Sequence, residues 1–87
     1  MEYQYNPSFT RDIKKANINA QTALLDIIDN IKSSEHLSEI LNVKKLKGHK
    51  TAYRIKVKDY RLCFYYEDGM ITIARFLPRK DVYRFFP

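Results

Sequence analysis

Residues 52–78 read A-Y-R-I-K-V-K-D-Y-R-L-C-F-Y-Y-E-D-G-M-I-T-I-A-R-F-L-P, and their periodicity decides the fold. Tyr53, Ile55 and Val57 alternate with Arg54, Lys56 and Lys58, a period of two that makes a strand with one apolar and one cationic face. Tyr60–Tyr66 and Ile71–Leu77 are two further runs of aromatic and β-favouring residues. Lys58-Asp59 and Asp68-Gly69 are the turn signals between them, so the stretch predicts a three-stranded antiparallel meander.

Register follows from the turn lengths. A two-residue turn at Lys58-Asp59 sets Val57 opposite Tyr60, Lys56 opposite Arg61, Ile55 opposite Leu62 and Arg54 opposite Cys63. Opposed residues share a face. One face therefore carries Tyr53, Ile55, Val57, Tyr60, Leu62 and Phe64, and the other Arg54, Lys56, Arg61, Cys63 and Tyr65. The same construction across Asp68-Gly69 pairs Tyr66 with Ile71, Tyr65 with Thr72, Phe64 with Ile73 and Cys63 with Ala74. Small residues at 63, 72 and 74 are then expected to leave a shallow depression on an open face, rimmed by Arg54, Lys56 and Arg61.

Upstream of the meander the period is helical. Glu2–Tyr5 predicts a short strand. Asn6-Pro7 opens a helix to about Ala16, with Phe9 and Ile13 on one side. After Asn17 a longer helix runs to about Ser33 on the stripe Ala20, Ala23, Leu24, Ile27, Ile28 and Ile31. Leu37, Ile40 and Leu41 then suggest a helical turn or anchored loop leading to Lys44. The expected architecture is α+β: a short N-terminal strand, two helices, then the meander, with the helices on its apolar face. Eighty-seven residues suffice for one core, so residues 1–87 are expected to form a single domain.

Charge is distributed unevenly. Residues 1–43 hold four Lys/Arg and six Asp/Glu, a balance of −2, whereas residues 44–87 hold twelve against four, a balance of +8. Such a field captures polyanions, nucleic acid foremost, although a basic surface also serves solubility. Lys56 opposed to Arg61, with Arg54 two residues away, concentrates like charge where an anion would relieve the repulsion. Of these three only the lysine amine can give up its proton, since guanidinium does not deprotonate in proteins. The strand end then delivers Pro78-Arg79-Lys80-Asp81-Val82-Tyr83-Arg84. One helical turn there would set Arg79 and Tyr83 on the same side, with Phe85 and Phe86 as a hydrophobic plug.

Several chemistries find no support. The single Cys63 cannot form an internal disulfide, and with two distant histidines it offers no zinc spacing, so neither a metal nor another cofactor is expected. Cys63 also lacks a histidine at a spacing suited to nucleophilic catalysis and reads as a small packing residue. His49 falls in the loop ahead of the meander and, as a residue type that titrates near neutrality, is a lesser candidate for direct catalysis. No apolar run approaches membrane-span length and the first residues lack signal-peptide order. The expected location is cytoplasmic, with no membrane partner.

Four short pieces in fixed order resemble the RelE/ParE superfamily of toxins from toxin–antitoxin pairs: L-K-G at 46–48, Y-R-I-K-V at 53–57, D-Y-R-L at 59–62 and P-R-K-D-V-Y at 78–83. The resemblance implies a fold like that of compact microbial ribonucleases. Its RelE-like branch implies a ribosome-dependent endoribonuclease that cuts translated mRNA through the RNA's own 2′-hydroxyl, without metal. Position by position, it implies Lys56 as general base, Arg61 on the phosphate oxygens, Arg79 stabilising or protonating the leaving side, and Tyr83 stacking on or orienting a nucleotide. Arg54 stands where RelE-like enzymes often have lysine, which limits it to phosphate contact. Lys44, Lys45 and Lys47, with Lys50, read as contacts to ribosomal RNA or to an acidic antitoxin. The implied partners are a cognate antitoxin, the ribosome and mRNA. A ParE-like gyrase inhibitor and a non-catalytic RNA-binding module are the competing readings.

Overall fold

A computed structural model describes residues 1–87. In chain order the elements are β1 (Glu2–Tyr5), α1 (Pro7–Lys15), α2 (Ile18–Ser33), a 3-10 turn (Leu37–Glu39), β2 (Val43–Lys45), β3 (Ala52–Val57), β4 (Tyr60–Glu67), β5 (Met70–Pro78), a second 3-10 turn (Arg79–Asp81) and α3 (Val82–Phe85). The α+β class and the meander are as the periodicity predicts. The sheet is larger, with five strands in the order β1-β5-β4-β3-β2.

Both additional pairings lie at the edges. β1 joins β5 in parallel, Glu2 beside Met70 through Tyr5 beside Ile73. β2 adds an antiparallel edge to β3, with Val43, Lys44 and Lys45 opposite Ile55, Arg54 and Tyr53. Three residues of which two are lysines carry too little alternation to announce a strand. Their short, charged character is a common way of protecting a sheet edge from further pairing.

The first hairpin has the expected register, Val57 with Tyr60 through Arg54 with Cys63. The second follows it only in part. Tyr66 meets Ile71, Tyr65 meets Thr72 and Phe64 meets Ile73, but Cys63 lies opposite Arg75, not Ala74, because a bulge intervenes. An uninterrupted ladder would have turned Arg75 toward the helices and Phe76 away from them. The inserted Ala74 reverses both: Phe76 is buried against the helices and Arg75 turns outward. The sequence carries the signal, since the inward residues Ile71, Ile73 and Phe76 step by two and then by three.

The larger core fills the space between helices and sheet. Phe9, Ala20, Leu24 and Ile31 of the helices pack on Ile55, Val57, Leu62, Phe64, Ile71, Ile73 and Phe76. Asn17 caps α2 by accepting from the Ala20 N–H at 2.8 Å, and the Gln21 amide closes the end of α1 by donating to the Ile13 and Ala16 carbonyls. The β1–β5 pairing ends at Tyr5 opposite Ile73, so α1 takes over the edge of β5 from there. Ser8 donates to the Ala74 carbonyl, while buried Asp12 accepts from the Phe76 N–H at 3.0 Å and from Arg75 Nε at 2.7 Å. Side chains thus supply the hydrogen bonds that a longer β1 would have supplied.

The opposite face is less open than expected. Leu46, Ala52, Cys63, Ala74, Leu77, Val82 and Phe86 form a second, smaller core there. The chain after β5 folds back over that face, and Phe86 lies against Tyr65 with ring centroids 5.0 Å apart. Half of the expected plug holds, because Phe86 is buried while Phe85 stays exposed. The small residues at 63 and 74 are therefore the floor of a packed patch and not of an open depression. No helix is long and apolar enough to cross a membrane.

Candidate functional site

What the second core leaves uncovered is the β2–β3–β4 portion of its face. Asn42, Val43, Lys44, Arg54, Lys56 and Arg61 line a depression of about 390 Å³ there. The hairpin register sets Lys56 directly across from Arg61, and the edge strand brings Lys44 across from Arg54. Four cations from three adjacent strands thus share one concavity, displaced toward β2 from the place the sequence suggested. Lys56 is exposed, whereas Arg54 and Arg61 are half-buried.

Arg61 is the most constrained of the four. Its guanidinium Nη1 donates to the Tyr60 carbonyl at 2.9 Å and to the Lys58 carbonyl at 3.2 Å, which folds it back against the hairpin turn. Partial burial is the largest influence lowering its pKa, followed by the positive charges of Arg54 and then Arg79, with Asp59 opposing. A cation crowded by cations favours an anion beside it, because the anion removes the repulsion.

The segment after β5 adds the remaining members. Pro78 ends the strand, the Arg79 N–H donates to the Asp59 carbonyl at 2.8 Å, and that bond ties the first residue of the 3-10 turn to the β3–β4 hairpin. Arg79 is thereby placed among the charges acting on Arg61. Tyr83 on α3 is 76% exposed, and its ring lies under the Arg54 guanidinium at 5.9 Å. An aromatic face that is held by a cation yet left to solvent is suited to stacking on a base.

Other residues singled out in the sequence stand apart. Lys45 lies opposite Tyr53 and so projects to the helix-covered side of the sheet, away from Lys44. Lys47, His49 and Lys50 belong to the β2–β3 loop, a separate exposed surface. Cys63 is fully buried, and burial pushes its thiol up to about 12, in keeping with a packing residue. No three His, Cys, Asp or Glu side chains converge in a way that could hold a metal ion. Asn42 escaped the sequence reading because nothing in the L-N-V-K context marks it; only the edge-strand register reveals its place.

No family model matches the chain. Toxin RelE3 of Methanocaldococcus jannaschii is 31% identical over 88 residues, covering 100% of both chains. The chain belongs to the RelE toxin family. It is thus a toxin of the RelBE type, and its fold agrees. A chain in the crystal structure of a RelB-RelE antitoxin-toxin complex from Methanococcus jannaschii matches this toxin with a TM-score of 0.81 and 30% identity, over 95% of this chain and 98% of that one. The archaeal RelE-RelB complex from Pyrococcus horikoshii OT3 gives a TM-score of 0.68 at 20% identity, over 93% and 97% of the two chains, which is likeness of fold.

Proposed function

We propose that this RelE-family toxin is a ribosome-dependent endoribonuclease that cleaves translated mRNA and so arrests translation in the cytoplasm, with residues 1–87 acting as one domain. The observation that carries this reading is the single concavity shared by Lys44, Arg54, Lys56 and Arg61, bordered by Arg79 and Tyr83. Such a cluster fits one phosphate and its flanking nucleotides. A protein that only bound gyrase would have no use for a potential proton acceptor set among guanidiniums.

The chemistry divides into three tasks. Lys56 Nζ, in its neutral form, takes the proton from the 2′-hydroxyl as that oxygen attacks the adjacent phosphorus. Arg61, held by its two carbonyl bonds, meets the charge that grows on the non-bridging oxygens, and Arg54 and Lys44 hold the flanking phosphates. Arg79 stabilises the departing 5′-oxygen, whose proton comes from water because guanidinium does not release its own. The P–O5′ bond breaks as the O2′–P bond forms, leaving a 2′,3′-cyclic phosphate and a 5′-hydroxyl. Tyr83 stacks on a neighbouring base and fixes the strand for in-line attack.

The structural relatives supply the partner. Solved RelE-type chains occur in complexes with RelB antitoxins, and an antitoxin of that kind is the proposed inhibitor here. Acidic side chains on it would complement the +8 balance of residues 44–87. The test is to induce the protein in cells and map new 5′ ends on a translated message and on an untranslatable copy. Cuts confined to the translated copy are expected. Intact messages accompanied by DNA breaks would replace this reading with gyrase inhibition, and salt-sensitive RNA binding without cuts would leave a binding module.

A further inference from the structure

The two-residue turn between β3 and β4 has an unusual backbone for its sequence. Lys58 holds φ 57°, in the left-handed region, while Asp59 does not. A positive φ at the first central position alone is the pattern of a type II′ hairpin turn, and that position is ordinarily glycine. Asp68-Gly69 makes the contrast, because there both residues are positive and glycine takes one of them. Lys58 carries a Cβ where glycine would sit without strain, and its exposed ammonium enters no ion pair that would explain a lysine there.

Three successive carbonyls of this turn each accept a hydrogen bond from an arginine. The Lys58 and Tyr60 carbonyls take Arg61 Nη1 at 3.2 and 2.9 Å, and the Asp59 carbonyl takes the Arg79 N–H at 2.8 Å. Arg61 is thus fastened to the turn by its guanidinium, and Arg79 by its backbone. Strained backbone persists where its surroundings over-determine it, and such positions cluster at functional sites. A negative φ at Lys58 would give a turn whose twist opposes that of the strands, and it would redirect the Lys58 and Asp59 carbonyls. Arg61 and Arg79 would then lose their common anchor.

We infer that Lys58 is a positioning residue that acts through its left-handed backbone and not through its ammonium, setting Arg61 and Arg79 relative to one another around the reacting phosphate. The inference deepens the ribonuclease reading above and rests on it.

The experiment compares purified full-length Lys58→Gly and Lys58→Pro with the wild type in cleavage of one ribosome-bound message. Both variants lack the ammonium, but glycine permits the positive φ and proline forces a negative one. Lys58→Gly should keep kcat within about twofold of the wild type, with its fold confirmed by thermal melting. Lys58→Pro should lose about a hundredfold in kcat, the effect of a misplaced catalytic group, while KM for the message-bearing ribosome stays within about twofold. Lys58→Val, whose branched Cβ disfavours positive φ, should lose about tenfold and carries the test if Lys58→Pro does not fold. Amide hydrogen exchange, which needs no RNA, should find the Arg79 N–H protected in the wild type and in Lys58→Gly and about tenfold less so in Lys58→Pro or Lys58→Val. A loss of kcat in Lys58→Gly as large as in Lys58→Pro assigns the role to the ammonium and overturns the inference. Full kcat in Lys58→Pro and Lys58→Val, a loss confined to KM, or unchanged Arg79 exchange overturns it as well, and in each case the nuclease stands. Failure of the wild type to cut overturns the nuclease reading and the inference with it.

Discussion

The two faces of the sheet are made by the same strands and alternate residues, yet they do opposite things. Toward α1 and α2, β3 and β4 present Ile55, Val57, Leu62 and Phe64, each buried to within 3% of complete. Toward the other side they present Arg54, Lys56 and Arg61, which repel one another and stay at least partly exposed. Stability is concentrated on one face, and that concentration lets the other carry a charge cluster that adds nothing to folding. The C-terminal segment joins the two, because Leu77, Val82 and Phe86 bury a second small core while Arg79 and Tyr83 reach the cations. The comparison teaches that substitutions on the two faces should separate activity from stability, with the C-terminal segment alone affecting both.

The sharpest separation is expected at Lys56. Lys56→Ala should lower single-turnover cleavage by about a hundredfold to ten-thousandfold, the usual contribution of a positioned general base, with no loss in thermal denaturation. A matching fall in melting temperature would mean that the two faces are not independent. Arg79→Ala should also lower cleavage strongly, by about a hundredfold, as loss of one preorganised donor to developing charge does.

The reverse pattern is expected behind the sheet. Phe64→Ala removes a fully buried ring from the larger core and should cost about 4 kcal/mol in chemical denaturation. Asp12→Ala breaks the pair with Arg75 and strands the Phe76 N–H at the β5 edge, a loss of about 3 kcal/mol by the same assay. If Asp12→Ala is neutral, water replaces the carboxylate at that edge and the proposed role of α1 fails.

How much of this contrast is legible in the sequence follows from what sets each feature. Alternation in Tyr53–Val57 and the two turn signals determine the first hairpin and the face of Arg54, Lys56 and Arg61, since a period of two leaves no freedom once a turn length is chosen. At Asp68-Gly69 the turn is equally explicit, with φ 51° and 78° at the two residues. Beyond it the reading slips, because one inserted residue at Ala74 reverses every later side chain in β5. β2 and the covering of Cys63 and Ala74 depend on contacts between segments far apart in sequence, and local pattern does not encode those. Arg79 and Tyr83 are suggested by spacing, but the approach of Arg54 to Tyr83 exists only in the fold.

A smaller effect marks the C-terminal segment. Tyr83→Ala should weaken cleavage by about tenfold through lost stacking, with little change in stability because the ring is exposed. Smallest is the consequence of burying Cys63. Its folded pKa, about 12, lies above the ordinary 9.0, so the protonated thiol favours the folded state below pH 9 and that contribution disappears as pH rises toward 12. A Cys63→Ala variant should accordingly lose less stability than the wild type between pH 9 and 12. In the native protein at pH 8 the thiol should resist alkylation that proceeds once the chain is unfolded.

The central claim is that the cationic face turns the message's own 2′-hydroxyl against the adjacent phosphate. A ribosome-bound message carrying one 2′-deoxynucleotide at the cut position tests it directly. The account predicts that wild-type toxin leaves this message whole at that position while cutting the all-ribose control to a 2′,3′-cyclic phosphate end. Cleavage of the deoxy-substituted message at the same position and rate would contradict it.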